Sequence, residues 1–150
     1  MIACFDIGGS AIKGAIAYSP EDIRPLSKVA TPLHDFDLFA MAIEKIAADG
    51  GVAPTSLISI SIAGVVDSDT GVITCANIPC INGRRLVADL SEKLQRPVLV
   101  ANDADCFALS EAVVGAGRNH QVVFGVILET GVGGGLTING KTQEGTGGFA

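Results

Sequence analysis

The chain of 150 residues has no tryptophan, one tyrosine and no run of basic residues. Ten Lys and Arg against sixteen Asp and Glu leave a formal charge of −6. Binding along a phosphate backbone needs a cationic surface, so no nucleic-acid partner is expected. No apolar run reaches the roughly 18–20 residues that span a bilayer, which argues against a membrane partner. The first apolar stretch lacks a basic preamble and is interrupted by Asp6 and Lys13. It does not read as a signal peptide, and a cytoplasmic protein is expected. The four cysteines, Cys4, Cys75, Cys80 and Cys106, form no CxxC, and Cys75 and Cys80 have no histidine at zinc spacing. They read as reduced thiols packed as small hydrophobes. His34 and His120 are isolated and read as loop residues. What the chain does have is 48% hydrophobic residues and 19 glycines. That composition fits a globular chain of one domain or a little more.

Residues 1–7 and 11–18 read as strands joined by a glycine turn, and 25–32 as a third extended segment. Phe36, Phe39, Ile43 and Ile46 recur at helical spacing, with Asp35 as N-cap and Gly50-Gly51 as the stop. Residues 56–64 alternate as a strand with Ile58, Ile60 and Ile62 on one face. Residues 71–79 read as a further strand, and Leu86, Leu90 and Leu94 mark a helix. "PVLVAND" runs as a buried strand into a helix over about 104–114, and "GAGRNH" is the best linker. Two more strands are expected around a turn at 131–135. This order predicts an α/β fold with a mixed sheet flanked by helices.

Three stretches carry chemistry. "FDIGGSAIKG" puts one carboxylate, Asp6, at the end of a strand just before a glycine turn. Such a turn permits positive φ and lets backbone N–H groups approach a phosphate. It fits neither GxxxxGK[ST] nor GxGxxG, and a strand follows it. The plain alternative is a hairpin turn with Asp6 capping it. A carboxylate beside a phosphate cradle makes sense when Mg²⁺ sits between them. "TGVGGG" (130–135) is a second glycine-dense turn, which a phosphate-facing loop would justify. Two such loops point to a cleft closing over a triphosphate, against the alternative of a loop without a ligand. In "VANDADCFALSEA", Asn102 and Asp103 stand where a strand meets a helix. They can serve as caps. An ionised Asp103, favoured by the helix start, can also take the proton of a sugar hydroxyl that attacks a γ-phosphate. Glu111 reads as structural. "IAG" (62–64) and "ANIP" (76–79) end strands with groups able to hydrogen-bond a polyhydroxylated ligand.

Taken in order, "FDIGGSAIKGA", "SIAGVVD", "ANIP", "LVANDADCFALSEA" and "TGVGGGLTINGK" resemble the ROK family of sugar kinases, from Ile2 to about Lys141. The resemblance implies an actin-like, ribonuclease-H-like fold of two lobes, with residues 1–117 as the N-terminal lobe and 118–150 as the opening strands of the second. It implies ATP and phosphate contacts at Asp6, Gly8, Gly9, Ser10 and Lys13, and again at Thr130, Gly131, Val132, Gly133 and Gly134. Asp6 would hold Mg²⁺ through water, Gly64, Asn77, Asn102 and Asp103 would contact sugar, and Asp103 would be the catalytic base. The implied reaction moves the γ-phosphoryl group of ATP to the 6-hydroxyl of a hexose or N-acetylhexosamine, with N-acetylglucosamine favoured. Partners would be small-molecule sugar and ATP, and a homodimer stays open. Ser10 stands where the family usually has Thr, and Glu129 where it usually has Gly. Family members are about twice this length. Their remaining sugar contacts, cysteine-rich zinc site and most of the adenine pocket would lie beyond residue 150. The hairpin after Gly117 would then expose sheet edges. A non-catalytic sugar- or ATP-binding fragment and a sugar-responsive regulator of the same family are the alternatives.

Overall fold

The computed structural model describes residues 1–128 and 132–145. It opens with β1 (Ile2–Ile7), β2 (Ala11–Ala17) and β3 (Ile23–Ala30), a meander of two antiparallel pairings. Helix α1 (Phe36–Asp49) follows, then β4 (Ile58–Ile62), and β5 (Val65–Val66) paired antiparallel with β6 (Ile73–Thr74). Helix α2 (Leu86–Leu94), β7 (Val98–Asn102) and α3 (Asp103–Val113) come next. Strands β8 (Val122–Leu128), β9 (Val132–Ile138) and β10 (Lys141–Thr142) close the described chain.

The main sheet has the order β3-β2-β1-β4-β7, with β1, β4 and β7 parallel. Alternation decides its faces. Ala3, Phe5 and Ile7 of β1 and Ile58, Ile60 and Ile62 of β4 are all buried and point into one core. Helix α1 covers that face with Phe39, Ala40, Ile43, Ile46 and Ala47. Its start is capped by Asp35, whose Oδ1 accepts the Leu38 N–H at 2.9 Å, as the sequence predicts. It stops at Gly50, and Gly51 takes the left-handed φ of 73° that frees the chain to leave the helix. Gly14 lets this helix approach: a Cβ there would run into Ile46 Cγ2.

The expected strand over 71–79 shrinks to Ile73–Thr74. Beyond Thr74 the Cys75 N–H is taken by the Asn82 side chain, at Oδ1 and 2.9 Å, and Pro79 has no N–H to donate. The chain from Cys75 to Asn82 folds as successive turns instead.

The three-stranded sheet has the order β10-β9-β8 and lies on α3. Gly125 and Gly135, paired across β8 and β9, face the helix. A Cβ on Gly135 would sit 2.6 Å from the Ala104 carbonyl carbon and 2.8 Å from Asp105 Cα. On the opposite face Val122, Phe124, Val126, Leu128 and Val132 are exposed. Where the sequence suggests a turn at 131–135, β9 already runs from Val132. Gly133, Gly134 and Gly135 are strand residues, and two of the three make room for α3.

Gly135→Ala tests this. The new methyl group meets helix backbone, which cannot yield as a side chain would, and overpacking of this kind costs about 1–3 kcal/mol or more. Urea denaturation should show that loss, whereas Gly140→Asn, at a left-handed turn position with open space, should be close to neutral.

Candidate active site

The parallel strands bring three chain segments to one end of the main sheet. Ile7, Ile62 and Asn102 lie in register as neighbours on β1, β4 and β7. Immediately beyond them come the Gly8–Ser10 turn, Ala63-Gly64 and the start of α3. Ligands of open α/β sheets gather where parallel strands end in this way.

The Gly8–Ser10 turn is held from two sides. Gly8 N–H donates to the Ala11 carbonyl at 3.1 Å, and Thr31 Oγ1 donates to the Gly8 carbonyl at 2.7 Å. The expectation of positive φ does not hold, since neither Gly8 nor Gly9 adopts it. Space explains them better. A Cβ on Gly8 would meet nothing within 4 Å, whereas one on Gly9 would lie 3.2 Å from Asn77 Cβ and O. Gly9 is thus where the "ANIP" segment seats against the turn.

Cys75 positions that segment. Its buried Sγ donates to the Ala63 carbonyl at 3.3 Å and is hydrogen-bonded by the Asn77 and Ile78 amides. Burial pushes its thiol pKa up, which keeps the S–H donor in place. Gly64 has its own reason to be glycine: a Cβ would lie 3.1 Å from the Thr74 carbonyl oxygen and from Cys75 Cβ.

Asn102 joins the strand ends to the helix. Its Oδ1 accepts from Ala104 N–H at 2.9 Å and from Asp105 N–H at 3.4 Å, which caps α3. Its Nδ2 donates to the Gly64 carbonyl at 3.0 Å. Asp103, the first helical residue, has its Oδ1 on the Ala104 N–H at 2.9 Å. The helix N-terminus stabilises negative charge there. Asp6 and Lys13 are cross-strand partners joined by a 2.8 Å ion pair, both more than half exposed. An exposed pair of this kind adds little to stability. Asp6 still presents an exposed carboxylate two residues before the Gly8–Ser10 turn, and a hydrated Mg²⁺ carried by a nucleotide fits such a ligand.

The structure thus links Gly9, Asn77, Gly64, Asn102 and Asp103 in one connected set, with Gly8, Ser10, Asp6 and Lys13 on its β1–β2 side. Val132, Gly133 and Gly134 lie in β9, and Gly133 comes within 3.2 Å of the Ala104 side chain when given a Cβ. That is one residue from Asp103. Gly134 turns the other way, toward Phe124. Thr130 and Gly131, with Glu129, lie outside the described residues. Glu111 is structural: its Oε2 accepts the Ala116 N–H at 2.7 Å just past the end of α3. Sequence reasoning missed Thr31, Asn82 and Cys75 as organisers of the site, since each acts through backbone contacts made across a loop. The one available signal was a polar residue inside an otherwise apolar stretch, as in "ITCANIP". Among the described residues all four cysteines are free, and no three His, Cys, Asp or Glu side chains converge as a metal centre. No helix among them is long and apolar enough to cross a membrane.

A mixed sheet of this order, with an antiparallel opening hairpin and the turns after its parallel strands gathered at one end, is the actin-like ATPase fold. A model of the ROK family matches residues 2–150, and the chain belongs to that family. It is 42% identical over 144 residues to an N-acetylgalactosamine kinase of Shewanella sp. (strain ANA-3), covering 93% of this chain and 46% of that protein. It is 40% identical over 148 residues to an N-acetyl-D-glucosamine kinase of Pectobacterium atrosepticum, covering 97% and 49%. The fold superposes with a TM-score of 0.84 on a ROK family glucokinase from Streptomyces griseus in complex with glucose and AMPPNP. That pair is 30% identical, over 99% of this chain and 48% of the glucokinase. The chain spans about half the length of the curated relatives it matches.

Asn102→Ala removes both the cap and the tie to Gly64. It should cost about 1–2 kcal/mol in urea denaturation. Asn102→Asp keeps the cap acceptor but places a carboxylate against the Gly64 carbonyl. Part of the stability should return, while the Gly64 and Val65 amide resonances stay displaced in both variants.

Proposed function

We propose that this chain carries the phosphate turn, the sugar contacts and the general base of an ATP-dependent sugar kinase acting on the 6-hydroxyl of an N-acetylhexosamine. The observation that carries the reading is the Asn102–Asp103 start of α3, tied to Gly64 and set beside the Gly8–Ser10 turn through Asn77. An alcohol held by Asn102, Gly64 and Asn77 would lie next to the Asp103 carboxylate. Asp103 takes the hydroxyl proton as the oxygen attacks the γ-phosphorus, and the bond from phosphorus to the bridging oxygen of ADP breaks. The Gly8–Ser10 backbone would cradle phosphate oxygens. Mg²⁺ brought with ATP would screen phosphate charge from Asp6, whose carboxylate reaches it through water. Relatives that act on N-acetylgalactosamine and N-acetylglucosamine favour the N-acetylhexosamine class over plain glucose. Residues 1–117 form one lobe in this reading, and 118–150 begin the second. Because the relatives are about twice as long, binding without turnover by this chain alone is the second reading.

Calorimetric titration with N-acetylglucosamine and with Mg-ATP, followed by a coupled ADP-release assay, tests both readings on this chain and on a version completed to its relatives' length. In the completed version Asp103→Asn should lower turnover by about a hundredfold or more, the usual worth of a general base. Sugar affinity should hold within several-fold. Near-normal turnover in that variant removes Asp103 from the base role. Binding by this chain without ADP release favours the second reading.

A further inference from the structure

Thr31 takes no part in the chemistry proposed above, yet it holds the Gly8–Ser10 turn at two points. Its Oγ1 donates to the Gly8 carbonyl at 2.7 Å, and its N–H donates to the Ser10 carbonyl at 3.4 Å. The residue is buried. A carbonyl oxygen can only accept, so the hydroxyl proton is committed to Gly8. The peptide joining Gly8 to Gly9 is trans. In a trans peptide the C=O and N–H of one plane point in opposite directions. A Gly8 carbonyl turned toward Thr31 therefore sends the Gly9 N–H away from Thr31. Neither the Gly9 nor the Ser10 N–H donates to a protein acceptor among the described residues. Backbone donors left over in a turn suit an anionic oxygen.

Thr31 is itself held from both sides. The residue before it, Ala30, pairs with Ala11 at the end of the β2–β3 ladder. The two residues after it hold the segment that carries Asn77. The Leu33 carbonyl accepts the Cys80 N–H at 2.9 Å, and the Pro32 carbonyl accepts from Cys80 Sγ at 3.3 Å. The hydroxyl thus acts on the turn from a fixed place. We propose that Thr31 is a positioning residue for the nucleotide: its hydroxyl holds the Gly8–Gly9 peptide so that the Gly9 N–H donates to a phosphate oxygen. This rests on the kinase reading, which supplies the nucleotide. Without the hydroxyl, the Gly8 carbonyl loses its partner and the peptide plane is free to turn. A carbonyl facing phosphate repels it, where an N–H attracts it. One hydroxyl therefore reaches the phosphate through a single peptide plane, with no contact between Thr31 and the ligand required.

Thr31→Val, Thr31→Ala and Thr31→Ser test this in the present chain. Val keeps the shape and removes the hydroxyl, and Ser keeps the hydroxyl. Ala also removes it and leaves room, so the test survives if the Val variant fails to fold. The chains are titrated calorimetrically with Mg-AMPPNP and with N-acetylglucosamine, and amide spectra are recorded in parallel. Thr31→Val and Thr31→Ala should weaken nucleotide binding about tenfold or more, the worth of a hydrogen bond to a charged group. Thr31→Ser should bind nucleotide like the unaltered chain, and sugar affinity should hold in all three. Nucleotide should shift the Gly9 amide in the unaltered chain and in Thr31→Ser, and leave it in place in the other two. A hydroxyl that only stabilises the fold would lower the melting temperature without this split between nucleotide and sugar. Nucleotide binding unchanged in the hydroxyl-free variants, or lost equally in Thr31→Ser, overturns the proposal and leaves the kinase reading standing. No binding of Mg-AMPPNP at the turn of the unaltered chain overturns both.

Discussion

The Asn102 side chain is the constraint on which the site depends. One carboxamide satisfies two amides of the α3 start with its oxygen and the Gly64 carbonyl with its nitrogen. Aspartate offers no donor and serine no planar fork, so neither reproduces both halves of that arrangement. By fixing the strand end, the helix start and the segment after β4 at once, it sets where the neighbouring Asp103 carboxylate stands. Cys75 does similar work a strand away. Its thiol joins Ala63 to the Asn77 segment, and Asn77 in turn backs Gly9. Positions far apart in sequence, from residue 9 to residue 103, thus become a single hydrogen-bonded and packed unit.

Glycine is used here more for closeness than for conformational freedom. Gly9, Gly64 and Gly135 all lack positive φ; a Cβ would sit tightly against a neighbour at the first two and run into helix backbone at the third. Gly135 and Gly125 allow the three-stranded sheet to lie almost backbone to backbone on α3. That contact places β9 beside the first turn of the helix, and so brings the second glycine-rich segment to the Asp103 end of the molecule. The other face of the same sheet is apolar and exposed at Phe124, Leu128 and Val132. The asymmetry is what a sheet shows when only one of its two faces is packed.

Much of this was legible in the sequence. The period-two pattern of Ile58, Ile60 and Ile62, the helical spacing of Phe39, Ile43 and Ile46, and the caps at Asp35 and Asn102 are local signals, and the folded chain keeps them. Three of the five ordered motifs, those containing Ile7, Ile62 and Asn102, mark the ends of neighbouring parallel strands of the main sheet. What could not be read were contacts decided by distance in space. The sequence offered Asp6 as a metal-facing or turn-capping carboxylate, and its ion pair with Lys13 across the hairpin follows only from the register of β1 and β2. The glycines at 133–135 looked like a turn because their composition is that of a turn, and only packing on α3 shows why a strand should carry them. The strand expected over 71–79 stops at Thr74, and the Cys75 amide that follows bonds the Asn82 side chain across a turn the sequence pattern does not announce.

The central claim is that the ends of β1, β4 and β7 form one ligand site. Backbone amide chemical shifts recorded during separate titrations with N-acetylglucosamine and with Mg-AMPPNP test it most directly. The account predicts that the sugar moves Gly64, Asn77, Asn102 and Asp103, that the nucleotide moves Gly8, Gly9 and Ser10, and that α2 stays still in both. Perturbations concentrated on α2 or β3, with the strand ends unmoved, would contradict it.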